Sequence, residues 1–205
     1  MIRAVLFDLD GVVRHFDHDP ELDRRHGLAD GTVAAAAFSA PRLEAVTTGR
    51  LTRDAWIAEI GTTIGSAAAA AEWGASPFRI DPAMTALADE LRALGVATPI
   101  LTNGTDTIPA EAAQAGLPTH FSPIFNSAEI GHAKPDPRAF THVLDALRLR
   151  AEQVLFTDDS ASKLAGASAL GMPTHHFTGV AGLRAALNAA GIGISSTLDT
   201  PPLTP

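Results

Sequence analysis

The run Val5-Leu6-Phe7-Asp8-Leu9-Asp10-Gly11-Val12 constrains this chain more than any other segment. Apolar residues with the pattern of a buried strand stop at two carboxylates one residue apart, followed by a glycine. Carboxylates enter the end of a buried strand where a cation, a proton or a substrate compensates their charge. Strand ends in open α/β sheets are also where ligands bind. Alternation along an extended chain puts residues i and i+2 on one face, so Asp8 and Asp10 address the same space. Gly11 then lets the backbone turn away. The pair reads as a nucleophile, Asp8, and a general acid/base, Asp10, sharing one magnesium ion.

Further short β-like runs recur along the chain: Thr98–Leu101, Pro123–Asn126, Val154–Thr157 and Thr174–Phe177, after a first one over Ala4–Asp8. Helical patterns with clear stops lie between them. Asp81-Pro82 opens a helix to Leu94 that Gly95 closes, Asp136-Pro137 opens another to about Leu147, and Ser160–Leu170 and Val180–Ala190 each end at a glycine. Strand and helix in alternation predict an α/β fold, a parallel sheet with helices on both faces. The stretch 14–79 breaks the alternation. It holds helical candidates at Leu22–His26, Thr32–Phe38, Pro41–Thr47, Thr52–Ile60 and Ala67–Trp73, and no convincing strand. Such a connection is too long for an ordinary loop, so it predicts a helical subdomain inserted behind the carboxylate strand. The expected organisation is a catalytic core over 1–13 and 80–193, a cap over 14–79, and a flexible tail over 194–205, rich in Ser, Thr and Pro.

The other strand ends carry complementary chemistry. Thr102 and Asn103 offer a hydroxyl, an amide and backbone N–H groups suited to phosphate oxygens. Lys134 is followed by Pro135 and Pro137, which present its ammonium from a stiff platform where it could neutralise a phosphoryl group and Asp8. Asp158 and Asp159 follow the apolar run Val154-Leu155-Phe156, and two adjacent acids there repel each other unless a cation lies close. Few, hard oxygen ligands describe magnesium rather than zinc. His15 and His18, with Asp17 and Asp19, read as a solvated entry to the cap rather than a second metal site. Trp56 and Trp73 read as packing of the small helical bundle, and His175-His176 as an edge of the sheet. Arg14 follows Asp10 closely enough to reach a phosphate.

Composition excludes several classes. A net charge of −8 over 205 residues, with no basic cluster, argues against a nucleic-acid partner. No run is apolar and long enough to span a bilayer, and the N-terminus lacks a signal-peptide layout. The chain contains no cysteine, which excludes disulfides and thiolate chemistry and fits the expectation of a cytoplasmic protein. Nothing in the sequence fixes an oligomeric state.

The four segments Asp8-Leu9-Asp10-Gly11, Leu101-Thr102-Asn103-Gly104, Lys134-Pro135-Asp136 and Phe156-Thr157-Asp158-Asp159-Ser160 resemble, in order and spacing, the motifs of the haloacid dehalogenase (HAD) superfamily of aspartate-nucleophile phosphohydrolases. The insertion after the first motif resembles the small α-helical cap of that superfamily's first subclass. The resemblance implies a Rossmann-like doubly wound core and an aspartyl-phosphate on Asp8. It implies that Asp10 protonates the leaving oxygen and then deprotonates water, that Thr102 and Asn103 hold the phosphoryl group, and that Lys134 orients Asp8. Magnesium would be held by Asp8, the backbone carbonyl of Asp10, and Asp159, with Asp158 assisting directly or through water. The expected partner is a small phosphorylated metabolite. A phosphomutase would use the same residues, and a non-enzymatic phosphate-binding module would share the fold. A haloacid dehalogenase is disfavoured by Asp10, because halide leaves without a proton.

Overall fold

The computed structural model describes residues 1–194, so most of the predicted tail lies outside the described residues. In chain order the elements begin with β1 (Ala4–Phe7) and β2 (Arg14–Phe16), then α1 (Leu22–Arg25), α2 (Thr32–Ala37), α3 (Ala40–Thr47), α4 (Arg53–Ile64) and α5 (Ala67–Gly74). After β3 (Phe78–Ile80) come α6 (Pro82–Ala93), β4 (Ile100–Thr102), α7 (Ile108–Gln114), β5 (Ile124–Asn126), α8 (Ser127–Ile130) and α9 (Pro137–Leu147). The described residues end with β6 (Val154–Asp158), α10 (Ala165–Ala169), β7 (Thr174–His176) and α11 (Val180–Ala189).

Five strands form one parallel sheet in the order β5-β4-β1-β6-β7. The chain builds outward from β1 through β4 to β5, then returns to the other side of β1 for β6 and β7. The C-terminal ends of β1 and its two neighbours therefore meet at the topological switch point of a doubly wound sheet. Period-two alternation on β1 divides the core. Val5, Phe7 and Leu9 face a cluster that includes Met84, Leu87, Leu91 and Phe121. Ala4 and Leu6 face the opposite cluster with Phe140, Val143 and Phe156. A strand buried on both faces has no polar position until it ends, which is why the first carboxylate of the chain's N-terminal segment is Asp8.

Local signals place the helices. The Asp81 side chain accepts from Ala83 N–H at 2.8 Å with Pro82 in the first turn of α6, and the Asp136 side chain accepts from Arg138 N–H at 2.9 Å with Pro137 opening α9. The expected helix over Ser160–Leu170 is instead a 3-10 turn at Ala161–Leu164 followed by the short α10. Gly166 of α10 packs so closely against the Lys134 loop that a Cβ there would overlap the Pro135 carbonyl oxygen.

Helices α1 to α5 form their own core around Val33, Val46, Trp56 and Ile60. Contrary to the sequence expectation, the inserted segment also contains strand. β2 and β3 pair antiparallel as a ribbon, with Arg14 opposite Ile80 and Phe16 opposite Phe78. Each strand is only three residues long, and Arg14-His15 and Arg79 interrupt the apolar pattern by which a strand is recognised. The ribbon joins the helical unit to the core a few residues beyond Asp10.

Replacing Gly166 by alanine should destabilise the protein by about 1–3 kcal/mol, because the added methyl meets backbone rather than a movable side chain. Thermal or denaturant unfolding reads this directly, and an unchanged midpoint would contradict the packing described.

Candidate active site

The strand ends bring the four motif segments to one place. Asp8 follows β1, and its N–H donates to the Thr157 carbonyl of β6 at 2.9 Å. Asp8 Oδ1 accepts from the Leu9 N–H at 2.7 Å and from Lys134 Nζ at 2.6 Å. The same ammonium donates to Asp158 Oδ2 at 2.7 Å, while Asp158 Oδ1 accepts from the Ser160 N–H at 2.9 Å. Lys134 and Asp158 side chains are 1% exposed and Asp8 is 11% exposed, so the trio is buried but open to solvent at Asp8.

Lys134 is itself held by its backbone. Its N–H donates to Asn103 Oδ1 at 2.7 Å, and Asn103 Nδ2 returns a bond to the Lys134 carbonyl at 2.8 Å. The Asn103 side chain thus fixes the lysine loop, a task the sequence did not reveal. Thr102 is buried at the end of β4. Lys163 Nζ also donates to the Lys134 carbonyl, at 3.2 Å.

Asp8, Asp158 and Asp159 each place an oxygen within 4.8 Å of the others. Three carboxylates face one ammonium, which leaves an excess of negative charge built of hard oxygen donors. That donor set fits a divalent cation of the magnesium type. Burial, reinforced by Asp158 and against the opposing pull of Lys134, pushes the Asp8 carboxyl up to about 7. Burial and Asp158 also raise Asp159. Burial works against the Lys134 charge, but the two carboxylates outweigh it and raise the pKa. The two acids at 158 and 159 divide their tasks: both oxygens of Asp158 are engaged by Lys134 and Ser160, whereas Asp159 is exposed and faces Gly11. Gly11, at φ 88°, approaches so closely that a Cβ would overlap Asp159 Oδ2. The edge strand supports this corner, since His176 Nε2 lies 2.9 Å from the Asp159 carbonyl oxygen.

Asp10 is bonded outside the acidic trio, and its charge adds to the upward push on Asp8 and Asp159. Its two oxygens accept from Arg14 Nε at 2.5 Å and Nη2 at 3.0 Å, and Arg14 Nη1 donates to Glu111 of α7 at 2.6 Å. Arg14 was legible only as a neighbour of the motif; Glu111 lies nearly a hundred residues away and carries no motif signal. Among the described residues the only grouping with metal-ligand spacing is the Asp8, Asp158 and Asp159 set; His15 and His18 belong to none. Trp56 and Trp73 do pack in the helical core, as expected, and they also face a cavity between that unit and Asp10.

The sheet order defines a Rossmann-like α/β fold with a carboxylate-rich site at its strand ends, and comparison with known proteins gives the family. A sequence model of the haloacid dehalogenase-like hydrolase family matches residues 2–171, and the chain belongs to that family. It is 31% identical over 186 residues to the sesquiterpene phosphatase astK of Aspergillus oryzae, covering 86% of this chain and 90% of that protein. It is 29% identical over 188 residues to phosphatase MT3486 of Mycobacterium tuberculosis, covering 83% and 85% respectively. Among solved structures, a HAD family enzyme of Bacteroides thetaiotaomicron in complex with magnesium and inorganic phosphate superposes with a TM-score of 0.69 at 22% identity, over 85% of this chain and 93% of that one. This last likeness is one of fold. No helix among the described residues is long and apolar enough to cross a membrane.

A cation at the three carboxylates competes with the proton on Asp8. That proton favours the folded, metal-free protein at low pH, because the folded pKa lies above the ordinary carboxylate value; the contribution is lost as the pH rises through about 7. Saturating magnesium should therefore raise the melting temperature more at pH 8 than at pH 5. Equal rises at both pH values would contradict the arrangement.

Proposed function

We propose that the protein is a magnesium-dependent phosphatase that hydrolyses a phosphomonoester through an aspartyl-phosphate on Asp8. The observation that carries this reading is the Lys134 ammonium bonded to both Asp8 and Asp158, with Asp159 in the same carboxylate cluster. Two family relatives that cover most of the chain are named phosphatases, which supports it. The magnesium and phosphate bound by the Bacteroides enzyme of like fold support it further.

Asp8, Asp159 and the Asp10 backbone carbonyl would hold magnesium, with Asp158 anchoring Lys134 beside it. The ion supplies charge neutralisation that keeps Asp8 ionised and screens the phosphate dianion. Asp8 Oδ2 accepts no hydrogen bond from a described residue, which leaves it available to bond phosphorus. In the first displacement an Asp8 oxygen forms a bond to phosphorus and the bond to the leaving oxygen breaks. Asp10 gives that oxygen a proton, so the alcohol departs neutral. In the second, Asp10 takes a proton from water as the water oxygen bonds to phosphorus and the Asp8–phosphorus bond breaks. The sum is ester plus water to alcohol plus phosphate. Lys134, the Thr102 hydroxyl and the Asn103 N–H offer positive charge and donors to the phosphoryl oxygens. Arg14 engages both oxygens of Asp10, so proton transfer requires the guanidinium to yield one of them to the leaving group.

Asp8→Asn should abolish magnesium-dependent phosphate release from a phosphomonoester panel. Asp10→Asn should lower kcat by about 10²–10⁴-fold while KM changes little, because general acid help is made in the transition state. Wild-type rates in Asp8→Asn, or an Asp10→Asn variant affected only in KM, would overturn the assigned roles.

A further inference from the structure

A cavity of about 400 Å³ lies against Asp10 and Asn103 on the core side and Phe38, Trp56 and Trp73 on the cap side. At ~30 Å³ per water-sized group it has room for about a dozen such groups, far more than phosphate needs. Its aromatic wall is continuous. His18 lies parallel to Trp73 with centroids 5.9 Å apart, and Trp73 meets the Trp56 ring at 5.4 Å and the Phe38 ring at 5.9 Å. Phe16 and Phe38, 38% and 57% exposed, both line this space and are two of the four exposed large apolar side chains among the described residues. Apolar surface left bare around one concavity marks a place for an apolar ligand.

The charged, amide and hydroxyl side chains of the lining have partners within the protein: Thr47 donates to the Leu43 carbonyl, Arg53 to the Gly74 carbonyl, Asn103 bonds the Lys134 backbone and Thr105 bonds Thr107. Arg14 serves Asp10 and Glu111, Glu111 also accepts from Thr107, and Ser76 bonds His18 and the Trp73 carbonyl. The Trp56 indole donates to the Ala37 carbonyl at 3.2 Å. Two acids, Asp10 and Glu111, balance two bases, Arg14 and Arg53. A polyol would find few donors or acceptors here, and a second acidic group no surplus cation.

We propose that this cavity receives the alcohol portion of the substrate, and that the enzyme acts on monophosphates of bulky apolar alcohols rather than on sugar phosphates or phosphorylated acids. The proposal rests on the phosphatase reading above. The test uses the protein's two tryptophans, which both stand in this wall. The full chain carrying Asp8→Asn is titrated with geranyl phosphate and with glucose 6-phosphate in magnesium while tryptophan emission is followed. Phosphate release from both esters is measured in parallel with wild-type protein.

Geranyl phosphate should change the emission saturably, and Phe38→Ser, at an exposed position, should weaken its binding roughly tenfold. Glucose 6-phosphate should leave the emission unchanged over the same concentrations, and wild-type kcat/KM should favour geranyl phosphate by about a hundredfold or more. Equal or tighter binding of glucose 6-phosphate, or geranyl phosphate affinity indifferent to both Phe38→Ser and Phe16→Ser, would overturn the proposal. Emission changes as expected with no phosphate released from either ester would leave the apolar site standing and overturn the phosphatase reading instead.

Discussion

The ammonium of Lys134 is the interaction on which this site depends. Asp8 and Asp158 end neighbouring strands of a sheet buried on both faces, so their charges would repel each other in a medium that solvates neither. One nitrogen within 2.7 Å of both converts that repulsion into a fixed geometry. The two carboxylates offset the cost of burying the lysine, and its platform is fixed: Asn103 holds its peptide from both sides, and Gly166 allows α10 to close on Pro135. Charge, backbone and packing therefore constrain the same few atoms.

What the lysine does not neutralise is equally informative. With Asp159 included, the site remains short of positive charge, and burial, reinforced by Asp158, raises the pKa values of Asp8 and Asp159. A divalent ion would answer that shortage, and in the proposed mechanism it keeps Asp8 ionised at neutral pH. Asp10 lives in a different environment, paired with Arg14 at the start of the ribbon that leads into the cap. Arg14 also lies 4.8 Å and 5.0 Å from the rings of Phe16 and Phe78. The side chain assigned to proton transfer is thus tied to the wall of the cavity that would hold the leaving group, whereas the assigned nucleophile is tied to the sheet.

Much of this was legible in the sequence because it is local. Strand ends and Asp-Pro helix starts declare themselves over three or four residues, and they located β1, β6, α6 and α9 together with Asp8, Lys134, Asp158 and Asp159. The ribbon β2–β3 was hidden, since its two halves lie some sixty residues apart and each is too short to show a period. Helix α7, with Pro109 and a run of small residues, gave no amphipathic signal, and so Glu111 went unnoticed. The double role of Asn103 and the aromatic wall are tertiary facts: a tryptophan that packs in a helical bundle and one that faces a cavity have the same sequence appearance.

In the proposed reaction phosphorus passes covalently through an oxygen of Asp8. Rapid acid quench of wild-type protein during turnover of a phosphomonoester, followed by peptide mass spectrometry, tests it most directly. One phosphoryl group should be found on the peptide bearing Asp8, and none when magnesium is chelated beforehand. A phosphoryl group on another residue, or steady turnover with no labelled peptide and direct transfer to water at every quench time, would contradict it.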